Sequence, residues 1–173
     1  LDGVDGVVVR FAADGTAQCL AHVHQAFDPA LRSTLLALNA PADNELHKAA
    51  LAASAVASAY GRAVIDVLSK AGRSVSEIRA IGAHGQTVRH RPQEFDGLGY
   101  TVQLLNGALL AELTGIDVVC DLRRRGVAAG GQGAPLVPAV HRALFARLDE
   151  PVAVLNIGGI ANLTLLGAQN SPQ

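Results

Sequence analysis

The residues best suited to chemistry lie in one stretch, Leu122 to His141. There Arg123, Arg124 and Arg125 lead into Gly130, Gly131 and Gly133, and Pro135 then opens an apolar helical run. Glycines let backbone N–H groups approach an anion closely and adopt positive φ. A helix N-terminus adds partial positive charge, and guanidinium groups grip phosphate or carboxylate in a fork. Together these describe the polar floor of an anion or sugar pocket. The plainer alternative is a flexible loop ahead of a helix that starts with Pro. A second group, His84, Gln86 and Thr87 around Gly85, follows an apolar strand. Imidazole, amide and hydroxyl suit neutral sugar hydroxyls better than a phosphate, and the carboxyl ends of strands are where α/β folds hold ligands. Simple turn chemistry is the alternative there. His22 and His24 share a strand face but have no Cys or carboxylate at ligand spacing, so they read as a solvated face rather than a metal pair. His90, between Arg89 and Arg91, reads as solvated.

Those groups need elements to hold them. Val4 to Phe11 and Gln18 to Phe27 flank Asp14-Gly15, a strong hairpin signal. Asp28-Pro29 caps a short helix carrying Leu31, Leu35, Leu36 and Leu38. A longer helix runs to about Ala71, with a stripe of Val56, Tyr60, Val64 and Leu68 and a stop at Gly72. Its run of Ala and Ser from Ala49 to Ala59 favours close packing on a sheet. Ile78 to Ala83 reads as a strand ending at the His84 group, Tyr100 to Leu105 as another, and Asn106 starts a helix that Gly115 ends. Ile116 to Cys120 reads as a short buried strand. If it runs parallel to the strand before His84, both polar groups share one rim. A helix over Pro135 to Phe145, a linker at Asp149-Glu150-Pro151 and two strands, Val152 to Ile157 and Ile160 to Leu166, turning at Gly158-Gly159, complete the chain. A domain that restarts with a hairpin after a linker suggests two similar lobes.

At 173 residues the chain could bury a full core, and its 50% hydrophobic and 17% charged composition predicts a soluble globular protein. No run of consecutive apolar residues approaches the roughly 20 that a membrane span needs. A net charge of −1 and few aromatics argue against nucleic acid. Cys19 and Cys120, with no recognisable signal peptide, read as reduced and buried, in a cytoplasmic setting. No methionine occurs and the chain opens on Leu1-Asp2-Gly3, so it is expected to be part of a longer protein.

Five collinear segments resemble one family: Leu1 to Asp5, Ile81 to Thr87, Ala111 to Val119, Ala128 to Ala139 and Asn156 to Asn162. The family is the anhydro-N-acetylmuramic acid kinases, in the superfamily of sugar kinases, heat-shock ATPases and actin. The resemblance implies an α/β fold: a ribonuclease H-like ATPase lobe of mixed sheet with flanking helices, spanning residues 1–149 with its first strand missing. Residues 150–173 would begin a second lobe, with ATP in the cleft between the two. It assigns Leu1, Asp2, Gly3, Val4, Asp5, Gly158 and Gly159 to the nucleotide, with Asp2 toward Mg²⁺. It assigns His84, Gln86, Thr87, Arg125, Gly130, Gly131 and Gln132 to the sugar. The implied reaction opens the 1,6-anhydro ring of anhydro-N-acetylmuramic acid with water and phosphorylates O6, in peptidoglycan recycling. Its partners are the amino sugar and ATP, with no nucleic acid and no membrane, and it leaves room for a homodimer. The general base is expected to be an Asp beyond Gln173, so the chain by itself is expected to be inactive.

Three departures from the family pattern stand out: Gly126 where Asp follows the arginines, Gly107 where Pro follows Asn, and Leu105 where Gly precedes it. Loss of the Asp is expected to leave Arg125 less firmly oriented. It also lends some weight to an alternative, a non-catalytic carbohydrate-binding or regulatory module derived from such a kinase. A serine or histidine hydrolase is disfavoured, because no Ser sits in a Gly-x-Ser-x-Gly turn.

Overall fold

A computed structural model describes residues 2–145, 150–157 and 161–167. The opening hairpin pairs β1 (Gly3–Phe11) antiparallel with β2 (Ala17–Ala26). Asp14 fixes its turn by accepting the Thr16 N–H at 2.9 Å, and a bulge falls between Val8 and Val9. Helix α1 (Pro29–Ala37) starts where Asp28 accepts the Ala30 N–H, which satisfies one of the orphan donors of a helix start. Leu35 and Leu38 are its buried contacts, whereas Leu36 turns outward.

Helix α2 (Glu45–Ala71) is the spine, ending in a left-handed Gly72 whose N–H bonds back to Leu68 and Ser69. Its length and apolarity would suffice for a membrane span. Here the apolar side is packed instead against the hairpin, α1 and α3 (Gly107–Thr114). The buried set is richer in small residues than the four-residue stripe implies. Ala52, Val56, Ala57, Ala59, Gly61, Ala63, Val67 and Leu68 are buried, while Val64 and Tyr60 are half-buried. Short side chains bring backbones close: Asn106, the cap of α3, donates its backbone N–H to Ala53 and its side chain to Ser54, and it accepts the Leu109 N–H.

The strands beyond α2 depart from the sequence pattern. Only Ile81–Gly82 (β3) and Val118–Val119 (β6) of the two expected inner strands are paired, in parallel, with Ile81 opposite Val118. Val119 is exposed rather than buried. Residues 86–92 form a full strand, β4 (Gln86–Pro92), antiparallel to β5 (Gly99–Leu104). A one-turn 3₁₀ helix, Val75–Glu77, precedes β3. Helix α4 (Arg124–Ala128) occupies part of the arginine-glycine stretch, and α5 (Val137–Phe145) begins two residues after Pro135. The last hairpin, β7 (Val152–Ile157) with β8 (Ala161–Leu166), is antiparallel. Its turn at Gly158-Gly159, like Leu1, residue Asp149 of the linker and residues 168–173, lies outside the described residues.

The expected single mixed sheet is thus four two-stranded ladders among the described residues. The edges of β1 and β3 that carry no partner strand line a common cleft of about 860 Å³, floored by α2. Cys19 and Cys120 are exposed, contrary to the buried reading. Cys19 sits in the strand that opposes the bulge, and Cys120 lies just past the short β6. Gly107 accommodates that thiol, since a Cβ there would lie 2.9 Å from Cys120 Sγ.

The 3₁₀ turn carries a pH-dependent contribution. Glu77 accepts from the Ser74 N–H, the Arg73 guanidinium and the Ser74 hydroxyl. These bonds, the Ser74 backbone bond foremost, lower its carboxyl pKa from 4.5 to about 2. A lowered folded-state pKa means stability that is fully present above the unfolded value and lost as pH falls through the folded one. Thermal melts should therefore show Glu77→Gln less stable than the parent above pH 4.5, with the gap closing as pH falls toward about 2. A gap that does not change with pH would remove the assignment.

Candidate functional site

The parallel pairing of β3 with β6 sets the two polar stretches side by side, as the shared-rim expectation required. The contact between them is made by Arg123, whose Nε donates to His84 Nε2 at 2.7 Å. Its Nη1 donates to the Gly133 carbonyl at 2.9 Å. His84 Nδ1 lies 2.8 Å from the Gly85 carbonyl. An arginine N–H only donates and a carbonyl only accepts, so His84 must carry its proton on Nδ1 and present a lone pair at Nε2. Gly85 (φ 73°) is held under Leu104, where a Cβ would lie 2.7 Å from the Leu104 carbonyl oxygen. Tyr60, on α2, bonds with the Gly85 backbone, and burial pushes its hydroxyl pKa up despite that bond.

The glycine loop is closed on itself and clamped from outside. Gly131 N–H donates to the Gly126 carbonyl at 2.9 Å. Gly133 (φ 62°) sits so near that a Cβ would lie 2.7 Å from the Arg123 carbonyl oxygen and 2.9 Å from Val127 Cγ2. A Cβ on Gly126 would lie 3.1 Å from Gly133 Cα, so a glycine at this position lets the two ends of the loop touch. Gln93, at the tip of the β4–β5 hairpin, donates to the Gly130 carbonyl and accepts from Gln132 Nε2, both at 2.9 Å.

The sugar-side candidates divide accordingly. His84 joins Arg123, and Gly130, Gly131 and Gln132 belong to the clamped loop. Gln86 and Thr87 lie within β4 rather than in a loop after a strand. The Gln86 amide turns to the Thr87 carbonyl, and Thr87 Oγ1 accepts from Gln103. Gln103 Oε1 is buried without a hydrogen-bond partner among the described residues, an arrangement that costs free energy unless a donor arrives. Arg125 is exposed on α4, and Arg124 pairs with Asp121 at 3.5 Å. The sequence marked Arg123 only as one of the arginine triplet, the resemblance assigning Arg125 to the sugar, and Gln93 was not marked. Arg123 had a signal in its place just past a strand parallel to the one before His84; Gln93 had none.

The nucleotide-side candidates gather at the start of β1. Asp2 is exposed, and its carbonyl takes the Phe27 N–H at 3.0 Å. Gly3 pairs so closely with β2 that a Cβ would overlap the Gln25 carbonyl, and Val4 is in the core. Asp5 lies across the ladder from His24. One Asp5 oxygen accepts from His22 at 2.9 Å and from His24 at 3.2 Å. The His22 bond first, then the His24 bond, hold the Asp5 carboxyl below its usual range against an opposing desolvation. The His22 and His24 face is solvated as read, but the hairpin supplies a carboxylate that linear spacing hid. Among the described residues no group of three such side chains is arranged to hold a metal ion.

The family model described as anhydro-N-acetylmuramic acid kinase matches residues 1–173. Curated relatives carrying that name include one from Variovorax paradoxus (strain S110), 60% identical over 99% of this chain and 46% of its own length. Another, from Albidiferax ferrireducens, is 60% identical over 96% of this chain and 43% of its own. A third, from Ralstonia nicotianae, is 55% identical over 99% and 44% respectively. The chain therefore spans less than half the length of the curated relatives it matches.

The loop geometry orders the cost of filling its glycines. At Gly130 (φ 82°) a Cβ meets nothing within 4 Å, so Gly130→Ala should cost only the left-handed strain of about 1–2 kcal/mol. Gly133→Ala adds an overpacked contact of roughly 1–3 kcal/mol. Urea-unfolding midpoints should separate the two variants in that order, and equal costs would contradict the close approach of Gly133 to Arg123.

Proposed function

This chain belongs to the anhydro-N-acetylmuramic acid kinase family, and from that premise we propose that it forms part of an ATP-dependent kinase. That kinase opens the 1,6-anhydro ring of anhydro-N-acetylmuramic acid and phosphorylates O6. The observation that carries the reading is the Arg123–His84–Gly133 junction, which supports a polar sugar floor built from the two segments that the family resemblance assigns to the sugar. Around it Gln86, Thr87, Gln132 and the loop carbonyls offer neutral donors and acceptors for hydroxyl and amide groups, with Arg125, Gly130 and Gly131 beside them.

On this reading residues 1–149 are the N-terminal lobe and residues 150–173 begin the second. The cleft between β1 and β3 supports a ribonuclease H-like lobe. It is bounded by two strand edges without partner strands, and one inserted strand would join the ladders into a single mixed sheet. The last hairpin supports the second lobe. Its register puts Leu155, Ile157, Leu163 and Leu165 on one face, all exposed, while Thr164 on the other face bonds His141 of α5 at 3.0 Å. An apolar sheet face of that kind needs further polypeptide to cover it.

ATP supplies the phosphoryl group, and Mg²⁺ neutralises the charge that develops on it. The entrance of β1 fits such a pair by donor chemistry. Asp2 is an exposed carboxylate, the hard oxygen ligand that Mg²⁺ takes, and Gly3, Val4 and Asp5 continue from it along the cleft wall. Leu1, Gly158 and Gly159 complete the proposed nucleotide set. Asp5 is held by two imidazoles, so its part is to anchor the hairpin edge under the nucleotide. The water-activating base is proposed to lie outside residues 1–173, as does the adenosine site. Residues 1–173 by themselves are then expected to turn over nothing.

A coupled ATP-consumption assay checks this. A protein of the relatives' length carrying this sequence should release ADP only when anhydro-N-acetylmuramic acid is present. Sugar binding without any sugar-dependent ADP release would replace the kinase by a non-catalytic carbohydrate-binding protein.

A further inference from the structure

We propose that Gln93, at the tip of the β4–β5 hairpin, is a positioning residue that holds the outer half of the glycine loop in the form a ligand meets; the inference rests on the sugar-kinase reading above and deepens it. The inner half of the loop has its own support. Gly133 is half-buried against Arg123 and Val127, and its carbonyl accepts from Arg123 Nη1. Gly130, Gly131 and Gln132 are exposed, and a Cβ on Gly130 would meet nothing within 4 Å. Locally they are tied by the Gly130 N–H to the Val127 carbonyl at 2.8 Å and by the Gly131 N–H to the Gly126 carbonyl. Among the described residues, the bonds that reach them from another part of the chain are those of Gln93, 37 and 39 positions away.

Those two bonds are complementary. Gln93 Nε2 donates to the Gly130 carbonyl and its Oε1 accepts from Gln132 Nε2, so one amide holds both the backbone of the loop and a side chain on it. Gln132 keeps a second N–H and its own carbonyl oxygen for other partners. The support behind Gln93 is rigid. The tip is closed by the Gln93 N–H to the Leu98 carbonyl at 2.7 Å, and Asp96 accepts from the Leu98 and Gly99 N–H groups at 3.0 and 2.8 Å. Phe95 stacks on Tyr100 with ring centroids 5.8 Å apart, and Val88 and Leu104 root the ladder in the core. Gln93 itself stands at φ 64°, a left-handed conformation that glycine takes freely and a side chain takes under strain. Such strain persists where the surrounding structure or the site requires it. What position 93 retains in return is an amide, and both of its ends are turned to the loop. A loop already held in place spares a ligand the cost of ordering it. Without that hold only a fraction of molecules has the loop formed, and apparent affinity falls by that fraction. Steps after binding are untouched, so the effect belongs to KM for the sugar and not to kcat.

The test compares Gln93→Asn and Gln93→Gly with the parent in a protein of the relatives' length carrying this sequence. Asn adopts the left-handed conformation readily but is one methylene too short to reach the loop. Gly relieves the strain, so that variant should fold as the parent does, with an unchanged urea midpoint. Two neutral bonds between exposed groups correspond to a population shift of about 5- to 50-fold. Without sugar, hydrogen exchange at the Gly130 and Gly131 amides should accelerate by that factor in both variants, while amides of the β4–β5 ladder keep the parent rates. KM for anhydro-N-acetylmuramic acid should rise by a similar factor, with kcat and KM for ATP unchanged. Unchanged exchange at Gly130 and Gly131 would overturn the proposal. So would faster exchange with an unchanged sugar KM, because the position of the loop would then not matter to the site, or a fall in kcat at constant KM, which marks a group acting in the transition state. If the parent turns over no sugar, the kinase reading falls, and the exchange rates still decide whether Gln93 holds the loop.

Discussion

Arg123 donates from Nε to His84 and from Nη1 to the Gly133 carbonyl, and the form of the whole rim follows from those two bonds. One joins the exit of β3 and the other joins the glycine loop to the exit of β6, so a single side chain ties together segments nearly forty positions apart in the chain. Because both acceptors are neutral, the tie leaves the positive charge available. Because an imidazole accepts through only one nitrogen, the tie also dictates where the His84 proton resides. The Gln93 clamp on Gly130 and Gln132 then fixes the far side of the loop.

The rim can close this tightly because small residues stand wherever backbones meet. On α2, Ala52, Ala57, Ala59, Gly61 and Ala63 are buried, which brings the Asn106 cap of α3 within hydrogen-bond reach of Ala53 and Ser54. Ala57, Ala83 and Leu110 form a common cluster that sets β3 over the spine just before His84. Two further glycines stand at close approaches. Gly126 lies against Gly133, and Gly107 lies against Cys120. A Cβ at Gly126 would crowd the Gly133 backbone, and one at Gly107 would press on Cys120 Sγ.

The parts of this arrangement legible in the sequence were those governed by local rules. The Asp14-Gly15 turn, the Asp28 and Asn106 caps, the Gly72 and Gly115 stops and the last pair of strands depend on neighbouring residues and could be read directly. The β4 strand could not. Its residues, Gln86 to Pro92, are mostly polar and basic with one buried apolar residue, Val88, and side chains of β5 support the ladder, Thr101 bonding His90 and Gln103 bonding Thr87. Periodicity of apolar residues carries no such information. The inner strands were overestimated for the opposite reason, since their apolar runs suit a buried sheet but β3 and β6 each pair over two residues. At the site, type and neighbourhood were legible and identity was not. The arginine triplet was evident, yet only the fold distinguishes a held Arg123 from a paired Arg124 and an exposed Arg125. The Asp5 link to His22 and His24 is likewise a product of hairpin register.

The account depends most directly on the protonation pattern of His84, which ¹⁵N-resolved NMR of the imidazole reports without reference to activity. The network requires the neutral ring with its proton on Nδ1, slowed in exchange by the bond to Gly85 and converted to a mixture when Arg123 is replaced by Gln. A ring with its proton on Nε2, or a freely exchanging mixture in the parent protein, would mean that Arg123 does not hold His84 and that the rim is organised some other way.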